Sequence, residues 1–162
     1  MKCFLKTNQS GFGIVEILVA SVIISLVIVG LHATTAQALR LVQQSTKRTQ
    51  AMFLAEETIE VLRSQRDSSW ASSIGTLSSG TDYFLEFNGS VWSITTTNIF
   101  IDNLFERKFL LEAVYRDGND DIAGSGTLDP STKKIIVSVS WSAQTGTTTQ
   151  SISTYITDLF EN

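Results

Sequence analysis

The chain has 162 residues, 43% of them hydrophobic, and a formal net charge of −4. That length suits one modest globular unit, and the acidic balance argues against a nucleic-acid-binding surface. One cysteine (Cys3), one histidine (His32) and no Gly-rich phosphate loop exclude a disulfide framework and leave catalysis little to stand on.

The first eleven residues, MKCFLKTNQSG, form a basic leader holding Lys2 and Lys6 and no acid. An apolar stretch, FGIVEILVASVIISLVIVGL, begins at Phe12 and is interrupted by one acid, Glu16. A carboxylate in a membrane-length apolar run is costly unless paired, which makes Glu16 a functional candidate. From Ile17 to Leu39 no residue is charged at neutral pH, and roughly 20 apolar residues are enough to span a bilayer. Lys2 and Lys6 place the N-terminus in the cytoplasm by the positive-inside rule and send the rest of the chain outward.

A secretory signal peptide runs from positive charges to an apolar core and then to small residues at the cut. Here the polar residues TNQSG precede the apolar segment, so cleavage after Gly11 would discard the charges and keep the whole helix. Phe12 would become the new amino terminus. Glu16 lies four residues on, one helical turn away on the same face. Cleavage leaves 151 of the 162 residues, and loss of Lys2 and Lys6 takes the net charge from −4 to −6. The simpler alternative is an ordinary single-pass anchor with a chance glutamate near its cytoplasmic end.

Gly11, Phe12, Glu16 and the long apolar run that follows together resemble the type IV prepilin family. The resemblance implies cleavage after Gly11 by a prepilin peptidase, N-methylation of Phe12, and extraction of the helix into a filament in which Glu16 helps to register subunits. In a filament core almost free of water, Glu16 of one subunit and the cationic terminus of Phe12 in a neighbour would neutralise each other. Many major pilins close a C-terminal loop with a disulfide. Here the only cysteine is lost with the leader, which favours a minor subunit.

Past the apolar run, HATTAQALRLVQQSTKRTQAMFLAEETIEVLRSQRD has neither proline nor glycine and is rich in helix formers. One helix is expected from Phe12 to Asp67, about 80 Å long at 1.5 Å per residue. Gly30 is its weakest point, either a site of bending or a place for close helix packing. Met52, Ala55, Ile59 and Leu62 form a stripe that can press on a sheet, widened by Phe53 and Leu54, with Arg48, Glu56, Arg63 and Arg66 facing water. This helix end is similar to that of minor pilins of the V type and of I-type pseudopilins of type II secretion. Ala51, Leu54, Ala55, Glu60 and Arg63 carry that likeness. A surface ladder of charge pairs through Glu56, Glu60 and Arg63 accounts for the charged positions equally well.

After Asp67 the texture changes to SSWASSIGTLSSGTD, with Trp70, Ile74 and Leu77 as packing anchors. YFLEF and VWSITT flank Asn88-Gly89 and predict a hairpin whose two central residues take positive φ. FERKFLLEAVYRD, KKIIVSVSWSA and QSISTYITDLF complete about five antiparallel strands. Val137, Val139 and Trp141 share the packed face, and Ser138, Ser140 and Ser142 the wet one. The fold class is α+β, pilin-like: a long N-terminal helix with a C-terminal antiparallel sheet. The expected organisation is a cleaved leader (1–11), a membrane and assembly helix (12–39), its continuation on the head (40–67), and the β head (68–162).

Asp117, Asn119 and Asp121 have the alternating oxygen ligands that open a calcium-binding loop, and Asp129 lies farther on. The loop lacks its closing glutamate, with Leu128 at that position, and has Ile122 where the glycine belongs. Turn chemistry at Asp117-Gly118-Asn119 is the competing explanation. Asp120 and Asp121 fit a solvated turn better than an acid–base pair, and His32 fits an interfacial residue. No cofactor and no enzymatic activity are expected. The expected partners are other pilin or pseudopilin subunits, a prepilin peptidase, an inner-membrane assembly platform and the lipid bilayer, with no direct nucleic-acid contact. The place is the cytoplasmic membrane and then a surface pilus or periplasmic pseudopilus. The alternative function is a membrane-tethered binding or adhesion module.

Overall fold

The computed structural model describes residues 13–143 and 146–159. The chain divides into two units, residues 1–45 and 46–162, and helix α1 (Ile14–Ser68) contributes residues to both.

In the first unit α1 opens at Gly13, whose carbonyl accepts the N–H groups of Glu16 at 3.0 Å and Ile17 at 3.4 Å. The apolar side chains from Ile14 to Val42 are exposed around the helix. The hydroxyls within this apolar segment are satisfied by the helix itself. Ser21 Oγ donates to the Leu18 carbonyl at 2.8 Å, Ser25 Oγ to that of Ser21 at 2.7 Å, and Thr34 and Thr35 to that of Leu31 at 2.9 Å. Such back-bonding is what a hydrocarbon environment demands of polar groups. The helix passes through Gly30 without interruption, and a Cβ there would meet nothing within 4 Å.

The second unit packs the end of α1 and a 3₁₀ turn (Ile74–Thr76) against antiparallel strands. These are β1 (Phe84–Phe87), β2 (Trp92–Thr95), β3 (Phe100–Ile101), β4 (Phe105–Arg116), β5 (Ile122–Ala123), β6 (Thr127–Ala143) and β7 (Gly146–Thr157). The larger sheet runs β3-β4-β6-β7 with β5 attached to β4, and β1-β2 form a separate ladder. A pair of backbone bonds between Tyr83 and Phe109, each 2.8 Å, ties the β1-β2 hairpin to β4. The core takes alternate residues of β4 and β6 (Phe105, Phe109, Leu111, Ile135, Val137, Val139, Trp141) and closes them against Ala51, Ala55, Leu62, Trp70 and Ile74. The rings of Phe105 and Trp141 meet edge to face at 5.9 Å, a favoured geometry for aromatic pairs.

Three expectations are corrected. The buried helix residues are Ala51, Ala55, Thr58, Val61 and Leu62; Met52 and Phe53 are exposed, Phe53 at 64%, and Arg66 is half-buried. The reason is close approach: alanines at 51 and 55 bring the helix backbone near the sheet, and the Thr58 hydroxyl is satisfied by the Leu54 carbonyl at 2.9 Å. At the hairpin, only Gly89 has positive φ, at 92°. The loop is four residues long, because Asn88 Oδ1 accepts the N–H groups of Ser90 (3.1 Å) and Val91 (2.9 Å) and the register resumes at Phe87–Trp92. This is Asx-turn chemistry, an alternative open to the same residue.

The third correction lengthens the sheet. β6 begins at Thr127 and includes Pro130, where the sequence pattern starts a strand only at Lys133. Register with β4 jumps from Ala113–Lys133 to Val114–Asp129, so residues 130–132 form a bulge without partners in β4. A bulge is where a strand can hold a proline. The turn into β6 requires glycine at Gly126, with φ 145° and the Arg116 carbonyl oxygen 2.1 Å from where a Cβ would stand. β3 and β5, two residues each, are too short to leave a periodic signal.

Candidate functional site

Glu16 is the third residue of α1, and its Oε2 accepts the backbone N–H of Gly13 at 3.1 Å. A glutamate at that position which reaches back to the N-cap N–H is one half of a capping box. It also sets negative charge at the positive end of the helix dipole. The glutamate, four residues after Phe12, therefore helps fix the start of the helix at Ile14 and remains exposed. The helix is apolar and long enough near its N-terminus to cross a membrane, and none of that stretch is buried.

The model of one family, described as the prokaryotic N-terminal methylation motif, matches residues 6–31. The chain carries a prepilin-type N-terminus. No curated protein and no solved structure matches the chain. The matched segment spans the Gly11–Phe12 junction, Glu16 and Gly30. Gly11 and Phe12 themselves lie outside the described residues, as do Lys2, Cys3 and Lys6. With this motif, the long helix and the antiparallel sheet form a type IV pilin-like α+β arrangement, and the apolar helix fits a single-pass membrane anchor.

In the pilin-like head, the residues proposed for calcium are engaged in a turn. Asp117 Oδ1 accepts the N–H groups of Asn119 (2.8 Å) and Asp121 (3.1 Å). The Asp117 N–H donates to the Asp121 carbonyl at 2.9 Å, and Asp120 takes a positive φ of 68°. Asp129 faces a different partner: Arg116 Nε donates to its Oδ2 at 2.7 Å, and the Ser131 N–H reaches Oδ1 at 3.0 Å. The Arg116 hydrogen bond holds the Asp129 carboxyl below its ordinary range, and the same bond raises Arg116. Among the described residues no three His, Cys, Asp or Glu side chains gather as a metal-ligand set.

The head also contains a charged cluster that the sequence reading missed. Arg107, 4% exposed, sits between Phe105 and Phe109 on the core side of β4. Its Nη1 donates to Glu57 Oε2 of α1, and its guanidinium carbon lies 5.2 Å from the centre of the Trp92 ring. Burial lowers the affinity of Arg107 for its proton, and the Glu57 charge opposes that shift. Gln65 Nε2 completes the joint by donating to the Trp92 carbonyl at 3.1 Å. Helix, hairpin and sheet thus meet at one point. The available signal was alternation: position 107 falls among core residues 105, 109 and 111.

Of the residues behind the narrower likeness to minor pilins, Ala51 and Ala55 are buried and Leu54 half-buried. Glu60 and Arg63 form an exposed ion pair at 2.5 Å, which is the surface-pair explanation of those two charges. A groove of about 650 Å³ at the β5 end of the sheet is lined by Tyr115, Tyr155, Ile122 and the Glu112–Lys134 pair.

Proposed function

We propose that this protein is a structural subunit of a type IV pilus or of a type II secretion-like filament, built through its N-terminal helix. The observation that carries the proposal is the methylation motif at residues 6–31, which takes in the start of an apolar helix with no buried surface in its membrane-length window. An exposed apolar face of this size calls for lipid before assembly and for the helices of other subunits afterwards.

On this reading a prepilin peptidase cuts after Gly11 at the cytoplasmic face of the inner membrane, and Phe12 is then N-methylated. The assembly platform draws the helix out of the bilayer into a pilus or pseudopilus. Glu16 has two tasks: it caps its own helix through Gly13, and it accepts the cationic Phe12 terminus of a neighbour as lipid is left behind. Gly30 is the point at which the helix yields during packing. Loss of the only cysteine with the leader supports a minor subunit or pseudopilin. The remaining calcium candidates, Asp117, Asn119 and Asp121, contribute turn structure to the head.

Glu16→Ala separates this reading from a membrane-tethered binding module. The variant should enter the membrane at wild-type levels and disappear from the sheared filament fraction. A filament fraction equal to wild type would contradict an assembly role for Glu16 and favour the tethered module.

A further inference from the structure

The two edges of the larger sheet are treated very differently. The outer side of β4 is covered piece by piece: β3 pairs at Phe105 and Glu106, Tyr83 at Phe109, the Gly80 N–H bonds the Leu111 carbonyl at 2.8 Å, and β5 pairs at Tyr115 and Arg116. The opposite edge is β7, twelve residues long, and among the described residues no strand pairs with its outer side. Its register with β6 runs unbroken from Thr132–Thr157 to Ala143–Gly146. Protein edges are normally protected by short strands, charges, proline or bulges. β7 has none of these, since no charged residue and no proline occur between Lys134 and Asp158.

We propose that β7 is a pairing edge that takes the β7 strand of a second copy of this chain, antiparallel, about a two-fold axis near Ser151. Charge selects this occupant and this direction. The chain is acidic overall, yet two β7 strands bring no charge opposite another. The antiparallel direction also keeps the two Asp158 residues at opposite ends, where a parallel pairing would stack them. A two-fold axis at Ser151 sets Thr149 opposite Ser153 on the exposed face. This continues the hydroxyl ladder already formed by Ser138–Ser151 at 2.9 Å and Ser140–Thr149 at 3.0 Å. Such cross-strand hydroxyl pairs are favourable. Because the β4 edge is covered, the pairing closes as a dimer and does not propagate.

The test uses the full chain purified in detergent, with sedimentation measured over a range of concentrations. The wild type should reach twice the monomer mass. Ser151→Glu, an exposed substitution that sets two like charges face to face, should raise the dissociation constant roughly tenfold or more. In a Cys3→Ser background, Ser151→Cys should form a disulfide-linked dimer on mild oxidation, whereas Ser138→Cys, one strand inward, should not. A wild type that stays monomeric would overturn the proposal. So would a Ser151→Glu variant that dimerises like wild type, because association would then lie in the apolar helix. Oxidation in cells that links Ser151→Cys only to a different protein would assign the edge to that chain and equally defeat self-pairing. None of these outcomes depends on whether Glu16 directs filament entry.

Discussion

Arg107 and Glu57 form one ion pair but are not equivalent partners, because the arginine side chain is 4% exposed and the glutamate 45%. Removing Glu57 leaves a cation buried with no counter-charge and with Nε already lacking a hydrogen-bond partner. Removing Arg107 leaves a carboxylate that water can reach. Glu57→Ala should therefore cost about 3 kcal/mol or more, and Arg107→Met much less, since an apolar residue of similar shape can replace a buried charge at little net cost. Denaturant midpoints followed by tryptophan fluorescence check this directly, as Trp70, Trp92 and Trp141 all lie in the second unit. Equal losses for the two variants would contradict the asymmetry. At this scale Glu16 stands out in the sequence, because an acid in an apolar run is costly unless paired, but its hydrogen bond back to Gly13 is visible only in the structure. Arg107 was not picked out, because a charged residue in a strand is ordinarily assigned to the wet face and its partner lies 50 positions away.

Among the elements, the contact face of α1 shows how packing distance overrides hydrophobicity. The expected stripe was Met52, Ala55, Ile59 and Leu62, widened by Phe53 and Leu54, and of these Ala55 and Leu62 are buried while Leu54 and Ile59 pack against the core. The buried one is built from Ala51, Ala55, Thr58 and Leu62, because small residues let the helix backbone settle on the sheet. Ala55→Leu should accordingly destabilise the head by about 1–3 kcal/mol through overpacking. Phe53→Ala should change stability by no more than about 0.5 kcal/mol, as befits an exposed site. Thermal unfolding of the two variants gives the comparison, and the reverse order would restore the expected stripe. The long strands β4, β6 and β7 were legible because each alternates over several residues. β3, β5 and the start of β6 were not, since their pairing depends on hydrogen bonds to residues distant in the chain. Asn88 and Asp117 show the same limit in turns. Their residue types announce a turn, but which backbone groups the side chain accepts is settled only by the fold around it.

For the whole molecule, two kinds of information sit at opposite ends of the chain. The N-terminal segment is dominated by local chemistry: a basic leader, a glycine, a phenylalanine, a glutamate four residues on, and apolar residues to the far side of a bilayer. That is why residues 6–31 are matched as a methylation motif. The head is held by long-range pairing and by a core with no such local signature. The apolar segment of α1 has no buried surface, and Glu16 closes the first turn of that helix. The charges that precede it are placed so that one cut would remove them. An anchor needs only the apolar length; a helix that must leave lipid for the company of other subunits needs, in addition, a defined start and a partner for its carboxylate. Mass spectrometry of the N-terminus of the protein recovered from its native membrane tests this claim most directly. The account predicts a chain that begins at N-methylated Phe12, and a chain that still carries Met1 to Gly11 would contradict it.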